Sequence, residues 1–143
     1  MIAVEKNYLI KRPLETVFGF VTTLLNDPLW IAACTEIVPL TQDTYEVVLK
    51  FFGRKMRFNM VIVSHEPCRK YEYATTAGPL SFRGCYLFEP VAEGTAVKWT
   101  FQGEPGSFFG LVPRPLLAKA LEKQAEGDIK TLKELLEKKP VAG

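Results

Sequence analysis

The C-terminal stretch from Pro113 to about residue 138 limits what this chain can fold into more than any other. Within it Ala118, Leu121, Ala125, Ile129, Leu132 and Leu136 recur every three or four residues, the spacing that places them on one face of one continuous helix. About 24 residues at ~1.5 Å each give roughly 36 Å, enough to cross the whole face of a small sheet. Glu122, Glu126, Asp128, Glu134 and Glu137 interleave with Lys119, Lys123, Lys130 and Lys133, the pattern of a solvated helix face with i to i+4 pairs. A helix with so long an apolar stripe needs a broad apolar surface to receive it, and the rest of the chain reads as that surface.

Residues 2 to 11 alternate as a strand, with Val4, Tyr8 and Ile10 on one side and Glu5, Asn7 and Lys11 mostly on the other. The period then changes. Pro13 suits a first helical turn, and Leu14, Val17, Phe18, Val21, Leu24 and Leu25 follow at helical spacing, so residues 13 to 25 read as an amphipathic helix. Asn26-Asp27-Pro28 stops it and caps a second, short helix carrying Leu29, Trp30 and Ile31.

Beyond residue 35, turn-forming residues fall near Asp43, Gly53, Glu66-Pro67, Gly78-Pro79 and Glu93-Gly94. Such short, regular spacing describes an antiparallel meander, because parallel crossovers need a dozen residues or more. Alternation assigns the faces. Tyr45, Val47, Leu49 and Phe51 oppose Glu46 and Lys50; Met56, Phe58, Met60 and Ile62 oppose Lys55, Arg57 and Asn59; Val97, Trp99 and Phe101 oppose Lys98, Thr100 and Gln102. Tyr71 and Tyr73 oppose Lys70 and Glu72, and Phe82, Gly84, Tyr86 and Phe88 oppose Arg83 and Glu89. A bulge at Gly84 would invert part of that last face.

At 143 residues the chain suits one domain with a core that needs no staples. With 18 Lys and Arg against 16 Asp and Glu, it lacks the strongly basic face of a nucleic-acid binder. Cys34, Cys68 and Cys85 are odd in number and far apart, with only His65 as an imidazole partner. That argues for reduced thiols in a cytoplasmic protein and against a metal site. The charged N-terminus does not read as a secretory signal, and no window approaches a membrane span. There is no phosphate-cradling glycine loop and no dinucleotide fingerprint, so no cofactor is expected. His65 falls at an expected hairpin tip, where an imidazole is solvent-exposed, and nothing in the spacing recommends Ser64, Ser81, Ser107 or a cysteine as its nucleophile.

The order strand, two short helices, about six further antiparallel strands and a long C-terminal helix resembles the helix-grip fold of the START and birch-pollen-allergen superfamily (SRPBCC). Arg12-Pro13-Leu14-Glu15-Thr16-Val17-Phe18 resembles the family's opening helix, Trp30 the aromatic that follows it, and Glu89-Pro90 to Gly94-Thr95 the turn before the last strand. The ending Leu132-Lys133-Glu134-Leu135-Leu136-Glu137 is similar to the bacterial polyketide cyclase/dehydrase and lipid-transport branch. Where members of the family often carry an Asp near position 23, this chain has Thr22-Thr23. The resemblance implies an α+β fold, a curved antiparallel sheet of about seven strands with the long helix across it, and a hydrophobic small-molecule ligand: a lipid, an isoprenoid or a polyketide.

The residues support a cavity independently. A curved sheet with aromatic side chains on its concave side is filled only by a helix bearing large side chains, whereas this one sets Ala118 and Ala125 beside Leu121, Ile129 and Leu132. The expected wall is Phe51, Met56, Phe58, Met60, Tyr71, Tyr73, Tyr86, Trp99 and Phe101, with Ala118, Leu121 and Ala125 opposite and Trp30 and Phe109 near an entrance. Inward tyrosines would orient a carbonyl or hydroxyl on a ligand. Binding or transport of such a ligand is the first functional reading. An enzyme of the cyclase/dehydrase type, using Tyr71, Tyr73, Tyr86 and Arg57 or Arg83, is the second. A protein-interaction module is the third. Lys50, Arg54, Lys55, Arg57, Arg69 and Lys70 form a basic cluster on the outer strand faces, with weak contact to an anionic membrane surface as an alternative role.

Overall fold

The computed structural model describes residues 1–104 and 112–138. Seven antiparallel strands form one open sheet in the order β1-β7-β6-β5-β4-β3-β2. The strands are β1 (Ile2–Ile10), β2 (Cys34–Pro39), β3 (Thr44–Phe51), β4 (Arg54–Glu66), β5 (Lys70–Ala77), β6 (Ser81–Val91) and β7 (Gly94–Glu104). Helices α1 (Leu14–Thr22) and α2 (Asp27–Trp30) connect the two edge strands, and α3 (Arg114–Glu137) is the long C-terminal helix. This is the α+β helix-grip architecture that the sequence pattern suggested.

The first helix is shorter than its periodicity implies. Thr22 and Thr23 turn their hydroxyls back onto the carbonyls of Phe18 and Gly19, at 2.8 and 2.6 Å. Such back-bonding by β-branched residues competes with helix continuation, and Thr23 is already extended. A 3₁₀ turn at Leu24–Asn26 follows and changes direction. Leu25 and Leu29, expected on apolar faces, are consequently exposed, while Trp30 turns inward.

Meander faces fall as alternation assigns them, with Tyr45, Val47, Met56, Phe58, Met60, Tyr71, Tyr86, Phe88 and Val97 all buried. Gly84 is no bulge, because its register runs unbroken against both neighbouring strands, β5 and β7. The slips fall elsewhere. In β4 against β5 they lie at Asn59/Met60 and Ile62/Ser64, and in β2 between Cys34 and Glu36. Two irregularities in one 13-residue strand bend it and help curve the sheet around α3.

The helix is held mainly at its C-terminal half. Leu132, with no exposed surface, and Leu136 join Ile10, Val17, Phe18, Val21, Phe88 and Val97 in one packed cluster. Polar contacts fix the same end: the Arg12 guanidinium donates to the Leu136 carbonyl at 2.6 Å, and the Lys11 amide to the Glu137 carboxylate at 2.9 Å. A cation on the last carbonyls also complements the helix dipole. Near the other end Leu117, absent from the expected stripe, packs with Ile2, Val4 and Met56.

Two glycines are required by close approach. A Cβ on Gly94, whose φ is +149°, would overlap the Ile10 carbonyl oxygen. A Cβ on Gly84 would overlap the Tyr73 hydroxyl, so the phenol lies directly over this residue. Gly84→Ala is expected to displace the Tyr73 ring and lower unfolding free energy by about 1–3 kcal/mol in urea denaturation, the usual cost of overpacking; an unchanged midpoint would mean that the ring moves freely.

Candidate functional site

Between the concave face and α3 lies a cavity of about 180 Å³. Of the expected wall, Trp30, Phe51, Tyr71, Tyr73, Tyr86, Trp99 and Phe101 line it from α2 and the sheet, with Met60 between them. Leu121 and Ala125 line it from α3. Met56, Phe58 and Ala118 stand behind the wall instead. Phe58, fully buried, packs edge-on against Phe82 at 5.2 Å and so fills core rather than facing open space. Phe109, expected at an entrance, lies outside the described residues. Exposed Phe52, Ser81 and Glu104 mark one end of the cavity, at strand and hairpin ends. Asp27, Trp30, Tyr71 and Asp128 are wall residues too, contributed by α2, β5 and α3.

That wall is mostly apolar, with a polar cluster the sequence did not reveal. Asn26-Asp27-Pro28 was expected to cap the short helix; Asn26 is the N-cap but makes no side-chain capping hydrogen bond, and Asp27, the first helical residue, is half-buried on the cavity wall. Burial without a compensating charge pushes it up to about 8, so it holds its proton at neutral pH. Asp128 was expected on the solvated face of α3. It instead accepts a hydrogen bond from the Ala32 amide at 3.0 Å, and burial pushes it up to about 6 despite that bond.

The aromatic polar groups differ in how they are satisfied. The Trp99 indole N–H donates to the Tyr73 hydroxyl at 3.2 Å. In contrast, the Trp30 indole N–H and the Tyr71 hydroxyl are buried without a hydrogen-bond partner among the described residues. Tyr8 has a third such hydroxyl, but it does not line the cavity. Burial is the first cause of the raised pKa of Tyr45, Tyr71, Tyr73 and Tyr86, and the Asp27 charge adds to each. These phenols therefore face the same space as Asp27 and stay protonated. Cys34, also on the wall, is pushed up to about 12 by burial, which makes its thiol a poor nucleophile.

Arg57 and Arg83, the cations considered for a catalytic role, do not reach this space. Arg57 pairs with Glu46 at 3.0 Å on the exposed face, and Arg83 forks onto the Gln102 side-chain oxygen at 3.0 and 2.7 Å. His65 is exposed, but it sits within β4 rather than at a hairpin tip, with its ring 5.5 Å from Phe18 and 5.7 Å from Tyr71. All three cysteines are free, and the described residues hold no group of His, Cys, Asp or Glu able to bind a metal ion. No described helix is long and apolar enough to cross a membrane. Part of the basic cluster is paired locally, Arg69 with Glu66 at 2.8 Å and Lys70 with Glu72 at 3.6 Å.

A sheet gripping one long helix over an apolar cavity defines a helix-grip protein. Residues 1–137 match the family described as polyketide cyclase / dehydrase and lipid transport, and the chain belongs to that family. Among solved structures, a START superfamily protein from Mycobacterium smegmatis is 16% identical, with a TM-score of 0.81 over 94% of this chain and 97% of that one. A protein from Thermus thermophilus is 21% identical, with a TM-score of 0.77 over 93% and 94%. The di-domain ARO/CYC StfQ of the steffimycin biosynthetic pathway is 16% identical, with a TM-score of 0.76; the match covers 95% of this chain and 51% of StfQ. No curated protein matches the chain in sequence.

The raised carboxyls couple folding to pH. Unfolded, an aspartate loses its proton near ~4, whereas folded Asp27 keeps it to about 8. Between those values the native state binds more protons than the unfolded one, so stability falls as pH rises through the window and levels off above it. Asp128 adds to the fall up to about 6. Asp27→Asn is expected to melt with the wild type at pH 4 but about 3 °C or more above it at pH 9, since ~1 kcal/mol shifts the Tm of a domain this size by a few degrees. Parallel melting curves at every pH would place the carboxyl in bulk water.

Proposed function

We propose that this protein binds a small hydrophobic molecule in the cavity between its sheet and α3. The observation that carries this reading is the cavity itself, about 180 Å³ of space bounded chiefly by apolar and aromatic side chains in the middle of the core. Cores normally close to crystal-like density, and a void this size forfeits contacts along its whole lining. Burial of an apolar ligand would restore them. Ligand binding or transport agrees with the family description, and the size argues for one ring or a short chain within the enclosed part, because an apolar cavity of ~150 Å³ accommodates benzene.

Ala125 is the point of control. It is the buried small residue of α3 that faces the cavity, one helical turn from Leu121. Ala125→Trp is expected to fill the space, leave the circular dichroism spectrum intact and abolish the uptake of apolar probes followed by native mass spectrometry. Wild-type protein that takes up no apolar probe, together with a variant that unfolds, would overturn the reading.

A second reading, catalysis of a cyclisation or dehydration, is favoured by Asp27. A carboxyl that carries its proton to about pH 8 beside an apolar cavity is a competent general acid toward a carbonyl or a departing hydroxyl. The tyrosines, held protonated, would donate hydrogen bonds rather than act as bases. Turnover of a polyketone probe that disappears in Asp27→Asn, with binding of the probe retained, would favour catalysis over carriage; a rate equal to the wild type's would remove Asp27 from that role.

A further inference from the structure

We propose that the Asp27, Trp30 and Tyr71 side of the cavity is a site for one neutral hydrogen-bond acceptor, so that the ligand is an apolar molecule carrying a carbonyl, ester or ether oxygen. This rests on the reading of the cavity as a ligand site and adds the chemistry of what enters it. Trp30 and Tyr71 are only 5% and 4% exposed, and each has a buried polar atom without a partner among the described residues. Both residues line the cavity. An indole N–H can only donate, so a ligand that completes Trp30 must bring an acceptor. Leaving such groups unmatched is costly, and two of them on the wall of one cavity mark where a ligand atom belongs.

Asp27 supplies the third donor. It stands three residues before Trp30 in α2, the spacing that puts both side chains on one helix face. The Trp30 ring lies 6.4 Å from that of Tyr86, and Asp27 acts electrostatically on Tyr86 and Tyr71 alike. Around Asp27 stand Cys34 from β2, Tyr45 from β3, Tyr71 and Tyr73 from β5, Tyr86 from β6 and, across the cavity wall, Asp128 from α3. The phenols and the thiol remain protonated, no cation is among these groups, and Asp128 titrates lower, near 6. Asp27 is therefore the group that changes charge around pH 8. Protonated, it donates to an oxygen. Ionised, it repels that oxygen's lone pairs and any anionic ligand.

Four single-ring probes of similar size separate the alternatives by isothermal titration calorimetry: acetophenone, ethylbenzene, benzylammonium and benzoate. At pH 7 acetophenone is expected to bind about tenfold more tightly than ethylbenzene, with both ions weaker still. Between pH 7 and pH 9 its affinity is expected to fall by about tenfold, following the protonated fraction of a group titrating near 8, while that of ethylbenzene stays level. Asp27→Asn, which keeps a donor but cannot ionise, is expected to bind acetophenone a few-fold more weakly than wild type at pH 7 and equally at both pH values. Trp30→Phe is expected to erase most of the preference for the ketone over the hydrocarbon. Because Asp27→Asn could perturb folding, the carboxyl ¹³C shift of Asp27 in wild-type protein is followed too, and acetophenone is expected to raise its titration midpoint. Equal binding of ketone and hydrocarbon, or an unmoved midpoint, overturns the acceptor site and leaves the cavity reading standing. Benzylammonium as the tightest probe, strengthening as pH rises, overturns it in favour of a cation site. No binding by any probe overturns both.

Discussion

The structure depends on how α3 is fastened across the concave face. Its C-terminal half is locked by Leu132 and Leu136 in a cluster shared with β1, α1 and β7, each fully buried leucine contributing ~1.5–3 kcal/mol. Arg12 and Lys11 secure the same end through the Leu136 carbonyl and the Glu137 carboxylate. Farther along, Lys6 pairs with Glu126 at 2.8 Å, an exposed contact that sets direction more than stability. With one end fixed, the distance of the middle of the helix from the sheet is decided by geometry rather than by its own side chains. Ala125 is too small to close that distance, and the cavity is the remainder.

What lines the remainder separates two treatments of the same residue types. Trp99 and Tyr73 satisfy each other, and Gly84 makes room for the phenol that does so. Trp30 and Tyr71, equally aromatic and more deeply buried, are left without partners among the described residues. A core selected only for stability would resolve both pairs in the same way, since each unmatched buried group costs ~1–3 kcal/mol. The first pair therefore belongs to the framework, and the second is left open for the proposed ligand.

Architecture was legible in the sequence because it is written in periods. Alternation placed Tyr45, Met60 and Tyr71 on the inner face, and three-and-four spacing gave α3 its length. The chemistry was not legible, for a physical reason that Asp27 and Asp128 make plain. Locally, Asn26-Asp27-Pro28 is a helix-capping pattern, and Asp128 sits among lysines and glutamates on an evidently charged helix. Only the tertiary position of α2 against α3, tied by the Ala32 amide to Asp128, brings both carboxyls to the wall of one cavity. One trace was available earlier: Thr22-Thr23 within the apolar helical pattern ends α1 early and thereby delivers Asp27 and Trp30 to the wall.

The desolvation that keeps Asp27 protonated, as the proposed acceptor site needs, also weakens the fold as pH rises, and the two cannot be separated. A salt-bridged aspartate here would add stability at neutral pH but would be ionised, unable to donate, and surrounded by the counter-charge an apolar ligand must displace. Replacement by an apolar residue would favour folding and leave Trp30 and Tyr71 with no companion donor. A protonated carboxyl between those extremes keeps the Asp27, Trp30 and Tyr71 side of the cavity uncharged around neutral pH, while Asp128 across the wall titrates near 6, and on that side apolar surface and hydrogen-bond donors can share the space. Such a local sacrifice of stability is what the proposed acceptor site requires of Asp27.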